Sequence, residues 1–331
     1  ARRFVVATGS RPAVPPIPGL EDVPYYTNET IFTITRKPAH LIIIGGGPIG
    51  LELAQAFRRL GSEVTVLEAF QALGREDPEL AEVVLARLGK EGVSVRSGAR
   101  VTRVEKRRSG VRVVVETDDG AAEISGSDLL VATGRIPVTE GLDLDKARVV
   151  ADEKGIRVNR RMRSSNRRVY AVGDVAGGPQ FTHVANYQAG IAIRNILFRL
   201  GAKTSYDHVP HVTYTDPELA QVGMTEAEAA GRHRKIRVLR WPYGENDRAR
   251  AEHETEGFIK VVTTKGGKIL GVGVAGASAG EIIQMWGLAI QTGPDIKAMT
   301  GFVSPYPTLT ELGKRASIQS YRPILTSPIA R

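Results

Sequence analysis

Apolar positions run along the chain in three textures. Between residues 40 and 132, short apolar runs alternate with segments of helical period. His40–Ile44 predicts a buried strand, residues 48–60 a helix and Glu63–Glu68 a second strand. Asp77-Pro78, with Glu79 and Glu82 behind it, predicts another helix, Asp as N-cap and Pro at its first position. Short strands follow, with a hairpin turn at Asp118-Asp119-Gly120 and a buried strand at Leu129–Ala132. Alternating β and α over this stretch argues for a parallel, doubly wound α/β sheet.

The flanks read differently. Phe4–Ala7 is strand-like and runs into a turn at Thr8-Gly9-Ser10, and residues 11–38 hold six prolines, a connector. Val169–Val172 is a strand ending in Gly173-Asp174. A helix over about 183–200 is expected to bury Ala189, Ile193, Ile196, Leu197 and Leu200, with Gly201 as terminator. From residue 207 the texture changes to strands at 212–215, 236–241, 258–264 and 269–275 and a helix at 279–291. That pattern is an α+β domain with an antiparallel sheet. Capping boxes are expected at Thr225–Glu228 and at Thr308–Glu311, the second opening a helix over 309–318.

Composition narrows the function classes. The chain has 331 residues and no cysteine, so these residues supply no disulfide, thiolate or cysteine-ligated metal. Its six histidines form no H-x-x-x-H pair, and no metal site is expected. No apolar run approaches the roughly 18 residues of a membrane span. Net charge is +9, densest from Arg157 to Arg168, with a second run from Arg232 to Arg240. Aromatic residues are not interleaved there for base stacking, which argues for solvated faces rather than a nucleic-acid partner.

The sharpest local chemistry is in "LIIIGGGPIGLELA". Gly45-x-Gly47-x-x-Gly50 follows an apolar strand and opens a helix, and Glu68 follows Gly50 by eighteen positions at the end of the next strand. Gly45 permits the tight turn, Gly47 lets a pyrophosphate approach the backbone, and Gly50 lets helix and strand pack closely. The helix N-terminus offers free N–H groups to phosphate. Glu68 can accept hydrogen bonds from ribose hydroxyls and repels a 2′-phosphate, so NAD is expected over NADP. Glu52, read within the helix's first turn, balances the helix dipole.

Five stretches in order, "VVATGSRP" at 5–12, "GGGPIGLELA" at 45–54, "LLVATGRIP" at 129–137, "VYAVGDVAG" at 169–177 and "TDPELAQVGMTEAEA" at 215–229, resemble the flavin-dependent pyridine nucleotide–disulfide oxidoreductases, the dihydrolipoamide dehydrogenase and mercuric reductase group. The resemblance implies a Rossmann-like NAD domain inserted in a partial FAD domain, followed by an α+β dimerisation domain. The boundaries it implies are 1–37 for the end of a first FAD segment and linker, 38–136 for the NAD domain, 137–206 for a second FAD segment and 207–331 for dimerisation. It also implies that the chain opens at the closing strand of an FAD fold whose first part, about a hundred residues, lies outside it. Thr8, Gly9, Ser10 and Asp174 would then belong to the flavin site, Asp174 on the ribityl chain. Gln180, Thr182 and His183 would lie at the helix N-terminus facing the flavin, where the dipole stabilises negative charge; Thr182 is also read as an ordinary N-cap. Val101 and Gly134 match positions lining the NAD site. Glu52 resembles the glutamate that pairs with a lysine near the flavin, a lysine lying outside these residues.

Near the C-terminus the family carries H-P-T-x-x-E, a base oriented by a glutamate across a homodimer interface. Here Tyr306 replaces the histidine and Glu311 holds the last position. A phenol with a reference pKa of about 10 is a poor base at neutral pH. Mercuric reductases similarly carry Tyr here but add a terminal cysteine pair, which this tail lacks. The expected function is therefore the C-terminal part of a cytoplasmic, homodimeric FAD enzyme passing hydride from NADH to flavin and on to a disulfide or related acceptor. The alternative is a non-catalytic module for nucleotide binding and dimerisation.

Overall fold

The computed structural model describes residues 1–321. They form two compact units, residues 1–15 with 133–206, and residues 16–132 with the chain from 207 onward. Among the described residues no helix is long and apolar enough to cross a membrane, and no cluster of His, Asp and Glu could hold a metal ion.

The larger unit is built on a five-stranded parallel sheet in the order Tyr26–Thr27, Asp128–Val131, His40–Ile44, Glu63–Leu67, Val93–Arg96. His40–Ile44 is apolar at nearly every position because both faces of the sheet are covered. Leu41 and Ile43 pack with Leu51 and Ala54 of the helix Pro48–Arg59 and with Leu80 and Leu88 of the helix Pro78–Lys90. Ile42 and Ile44 turn the other way, onto Val111, Val113 and Val115 of a three-stranded antiparallel sheet spanning residues 100–126. The hairpin turn between Thr117 and Gly120 falls at Asp118-Asp119.

The C-terminal part of this unit is a five-stranded antiparallel sheet in the order His211–Thr213, Glu218–Gly223, Ile269–Gly276, Phe258–Thr264, Ile236–Pro242. The helices Ala279–Thr292 and Glu311–Ile318 close over it, with Trp286 fully buried between them and the sheet. Glu218–Gly223 is a strand that the hydrophobic pattern did not separate from the preceding turn. It lies inside the sheet, is buried at four consecutive positions, and so shows no alternation. The capping box at Thr225 and Glu228 is present with both reciprocal bonds. The one expected at Thr308 is not: the helix begins at Glu311, capped by Thr310 without a side-chain bond, and the Thr308 hydroxyl donates to the carbonyl of Pro305 instead.

The two sheets of this unit are keyed together at the N-terminus of the helix Pro78–Lys90. Asp77 caps that helix, its Oδ1 accepting the Glu79 N–H at 3.1 Å. The same carboxylate holds Lys260 Nζ at 2.8 and 2.9 Å, and Lys260 also reaches Glu79 at 3.0 Å and Glu226 at 2.7 Å. Arg240 closes the cluster on Glu79 and Glu226. The Arg240 bond and the Lys260 charge bring the Glu79 carboxyl down to about 2. A depressed acid stabilises the fold above its unfolded pKa and loses that stabilisation as pH falls toward the folded one. Because Glu79 is half exposed, screening reduces the contribution to about 1 kcal/mol. Glu79→Gln is therefore expected to lower the unfolding free energy by that amount at pH 7 and by only a small fraction of it at pH 2, measured by urea denaturation at both.

In the smaller unit, Phe4–Val6 pairs in parallel with Val169–Ala171, and Ser10–Pro12 pairs antiparallel with Arg135–Pro137. Its helix, Thr182–Leu197, buries Val184, Gln188, Ile191 and Ala192. The face expected inside is mostly outside: Ile193, Leu197 and Leu200 are each more than half exposed. The packed face is set by Met162, Tyr170 and Val172, and it includes a buried glutamine that a search for apolar positions passes over. Gln188 accepts the Gly173 N–H at 2.7 Å and donates to the Tyr206 hydroxyl at 2.9 Å.

Candidate functional site

The glycine loop leaves the sheet at Ile44. Gly45 sits at φ 115°, a region only glycine enters freely, and its N–H donates to the Leu67 carbonyl at 2.8 Å. Gly47 is the N-cap of the helix Pro48–Arg59, with extended backbone and no atom within 4 Å of where a side chain would begin. Gly50 is the opposite case: a Cβ there would stand 2.0 Å from the Gly45 carbonyl oxygen. The open position at Gly47 faces a helix end whose first N–H groups have no intrahelical acceptor.

Glu68 is the first residue past the strand Glu63–Leu67. Its Oε2 accepts the Gly46 N–H at 2.8 Å and its Oε1 accepts the Phe70 N–H at 3.0 Å. Both oxygens are fixed, and each keeps a lone pair for a further donor. Val101 lies in the antiparallel sheet and packs against the core beneath the parallel one. Gly134 belongs to the smaller unit, at φ 130°.

Glu52 lies in the second turn of its helix rather than the first, since the helix begins at Pro48. Its carboxylate accepts the backbone N–H of Tyr214 at 2.7 Å, and burial raises its pKa. It therefore has a partner within the chain, which the sequence did not disclose. Gln55 and Arg59, on the same helix face, bond Asp216. The face thus docks on the loop before the strand Glu218–Gly223.

In the smaller unit, the Thr8 hydroxyl donates to the Val138 carbonyl at 2.6 Å, and Gly9 at φ 70° accepts the Val138 N–H. Ser10 Oγ donates to Asp174 Oδ2 at 2.5 Å. Arg135 Nε donates to Ser10 Oγ at 2.7 Å and lies 3.9 Å from Asp174. Arg135 is the residue sequence reasoning missed, although it stands beside Gly134 in "ATGRIP". Gln180 donates weakly to the Arg135 carbonyl, at 3.4 Å. Thr182 is the first residue of its helix rather than the N-cap, which is Phe181, and His183 stacks on the Phe181 ring.

At the C-terminus, Tyr306 is 71% exposed and its hydroxyl donates to Asp247 Oδ2 at 3.0 Å. That carboxylate holds the phenol above its ordinary pKa, so it stays a proton donor at neutral pH. Glu311 begins the last long helix, half-buried.

The profile of the pyridine nucleotide-disulphide oxidoreductases matches residues 1–189, and that of the same family's dimerisation domain matches residues 209–317. The chain belongs to this family. It is 37% identical over 314 residues to a mercuric reductase of Bacillus cereus, covering 94% of this chain and 50% of that protein. It is 40% identical over 320 residues to a dihydrolipoyl dehydrogenase of Thermus scotoductus, covering 94% of this chain and 68% of the relative. Of a Staphylococcus aureus mercuric reductase it spans 59% of the length at 36% identity, so this family member covers about half to three fifths of these two mercuric reductases. Among solved structures it resembles the HOCl-induced flavoprotein disulfide reductase RclA from Escherichia coli, with TM-score 0.88 and 30% identity, covering 96% of this chain and 73% of that one. LpdA from Mycobacterium tuberculosis superposes with TM-score 0.87 at 27% identity, covering 96% and 69%.

Proposed function

We propose that this family member is the NADH-binding and dimerising portion of an FAD-dependent oxidoreductase that passes hydride from NADH to flavin and on to an acceptor. The observation that carries the reading is the pairing of an open Gly47 at a helix N-terminus with a Glu68 carboxylate fixed on the Gly46 amide. Phosphate suits the first and ribose hydroxyls suit the second. Residues 38–136 are assigned the NAD domain, with Val101 lining it, and residues 1–37 and 137–206 parts of an FAD fold. In the latter, Asp174, oriented by Ser10 and Arg135, would hold the flavin's ribityl chain. Thr8, Gly9, Gln180, Thr182 and His183 would border it. Flavin, when bound, supplies the carrier that accepts two electrons from NADH and releases them to the acceptor.

Residues 207–331 are assigned the homodimer interface. Tyr306, held by Asp247, acts there as a hydrogen-bond donor rather than a base, and Glu311 shapes the same surface. The acceptor is a disulfide or a metal ion, since relatives are named for mercuric reduction and a Cu(II) complex of the similar reductase has been solved. A second reading, a nucleotide-binding and dimerisation module without turnover, is favoured by the lack of any cysteine in these residues.

Titrating the chain with NADH and NADPH by nicotinamide fluorescence tests the reading. A carboxylate near a 2′-phosphate costs about 1 to 4 kcal/mol at contact range, so NADH is expected to bind at least about tenfold more tightly. Glu68→Ala should remove most of that difference. Equal or tighter NADPH binding by the unaltered chain would overturn the assignment.

A further inference from the structure

Lys260 stands 192 positions after Glu68 in the chain, on a different sheet, yet a continuous path of short contacts joins them. Its ammonium is 4% exposed and grips both oxygens of Asp77, itself 5% exposed. Asp77 is held from its other side as well, its N–H donating to Gln221 Oε1 at 3.1 Å. The preceding residue, Glu76, is 6% exposed, bonds His211 at 2.8 Å, and donates its own N–H to the Leu73 carbonyl at 2.9 Å. The Leu73 N–H donates to the Gly46 carbonyl at 3.0 Å, and the Gly46 N–H donates to Glu68 Oε2 at 2.8 Å. Gly46 is thus held at both ends by the segment 68–76, and a Cβ there would meet the Glu68 Cβ at 2.9 Å and the Ala72 Cβ at 3.1 Å.

We infer that Lys260 is a positioning residue for dinucleotide specificity: by anchoring Asp77 it fixes the segment 68–76 that aims the Glu68 carboxylate over the glycine loop. The inference rests on the assignment of Glu68 to the dinucleotide ribose.

The physical reason lies in what a buried ion pair does well. Removing two charges from water offsets most of their attraction, so a buried lysine among carboxylates adds little net stability over a packed apolar side chain. What it adds is direction. An ammonium with three donors, met by Asp77, Glu79 and Glu226, admits one placement of the helix start. Specificity sites need supporting groups that hold the recognising atoms within about 0.5 Å. Glu68 opens a loop of ten residues between the strand and the next helix, and each end of that loop has its own carboxylate anchor: Glu68 on Gly46 and Asp77 on Lys260.

Two variants test the inference in the whole chain. Lys260→Met removes the anchor, and Asp77→Asn removes the charge while keeping a good N-cap. In each, the ratio of NADH to NADPH affinity, read by nicotinamide fluorescence, is expected to fall about tenfold, while Lys260→Arg retains it. A role confined to stability lowers the folded fraction for both nucleotides alike and leaves the ratio where it was. If the unaltered chain prefers NADH and both variants keep that preference, this inference alone is overturned. If the unaltered chain binds neither nucleotide, or does not prefer NADH, the assignment of Glu68 fails and this inference fails with it.

Discussion

Gly47→Ala is expected to keep the fold and lose the nucleotide, whereas Gly50→Ala strongly destabilises the fold. The two glycines are three residues apart in one motif, and their surroundings are opposite. At Gly47 the backbone is extended and a methyl group meets no atom within 4 Å. Its cost to the unliganded chain is that of a poorer N-cap, about 1 kcal/mol or less. Anything more must come from a ligand that would have occupied the space. The position caps a helix whose free N–H groups suit a pyrophosphate, so a methyl group there keeps the phosphate off the backbone. NADH affinity is expected to drop at least about tenfold, equivalent to 1.4 kcal/mol. At Gly50 the methyl group would stand 2.0 Å from the Gly45 carbonyl oxygen. That oxygen is backbone, tied through the Gly45 N–H to Leu67, and cannot move aside without breaking the end of the parallel sheet. Overpacking of this kind costs about 3 kcal/mol. Urea denaturation and NADH titration of both variants separate the cases. A Gly47→Ala chain that binds NADH as the unaltered chain does would remove the glycine loop from the binding site.

These residues also mark how far the sequence could be read. The strand His40–Ile44 and the helix after it were legible because a fully apolar strand, a glycine turn and a helical period follow one another without interruption. The Asp77 cap and the Thr225–Glu228 box were legible because capping is local chemistry. Long-range polar contacts were not. Lys260 in "GFIKVV" looks like an exposed position on a half-buried strand, and only the folded chain brings three carboxylates to it. Glu52 looked partnerless because its acceptor role is filled by a backbone amide 162 positions away. The helix Thr182–Leu197 was placed to within three residues at its end, but its packed face was misread because Gln188 is buried by two hydrogen bonds rather than by apolarity. Thr308 and Glu311 carry the spacing of a capping box, and the turn at Pro305 uses the hydroxyl first.

A large loss of stability is also expected from Trp286→Ala, and a neighbouring glycine makes that loss diagnostic. Trp286 is fully buried where the helix Ala279–Thr292 meets the helix Glu311–Ile318. Truncating a buried tryptophan costs about 3 to 5 kcal/mol. The lower end applies here, because the indole Nε1 has no hydrogen-bond partner among the described residues and its removal relieves a buried unpaired donor. Trp286→Phe, which drops the N–H and keeps most of the ring, should therefore cost far less than the alanine variant. Gly313 supplies the control. A Cβ at Gly313 would lie 2.8 Å from Trp286 Cζ2, a rigid ring atom with nowhere to go. Gly313→Ala is thus expected to destabilise the unaltered chain by about 1 to 3 kcal/mol. In the Trp286→Ala background the same methyl group enters a cavity, and the better helix propensity of alanine makes it neutral or stabilising. The coupling between the two sites, read from urea denaturation of the four chains, should be at least about 1 kcal/mol. Additive effects would mean that the last helix does not close on the indole, and that the segment carrying Tyr306 and Glu311 is held to the sheet by something else.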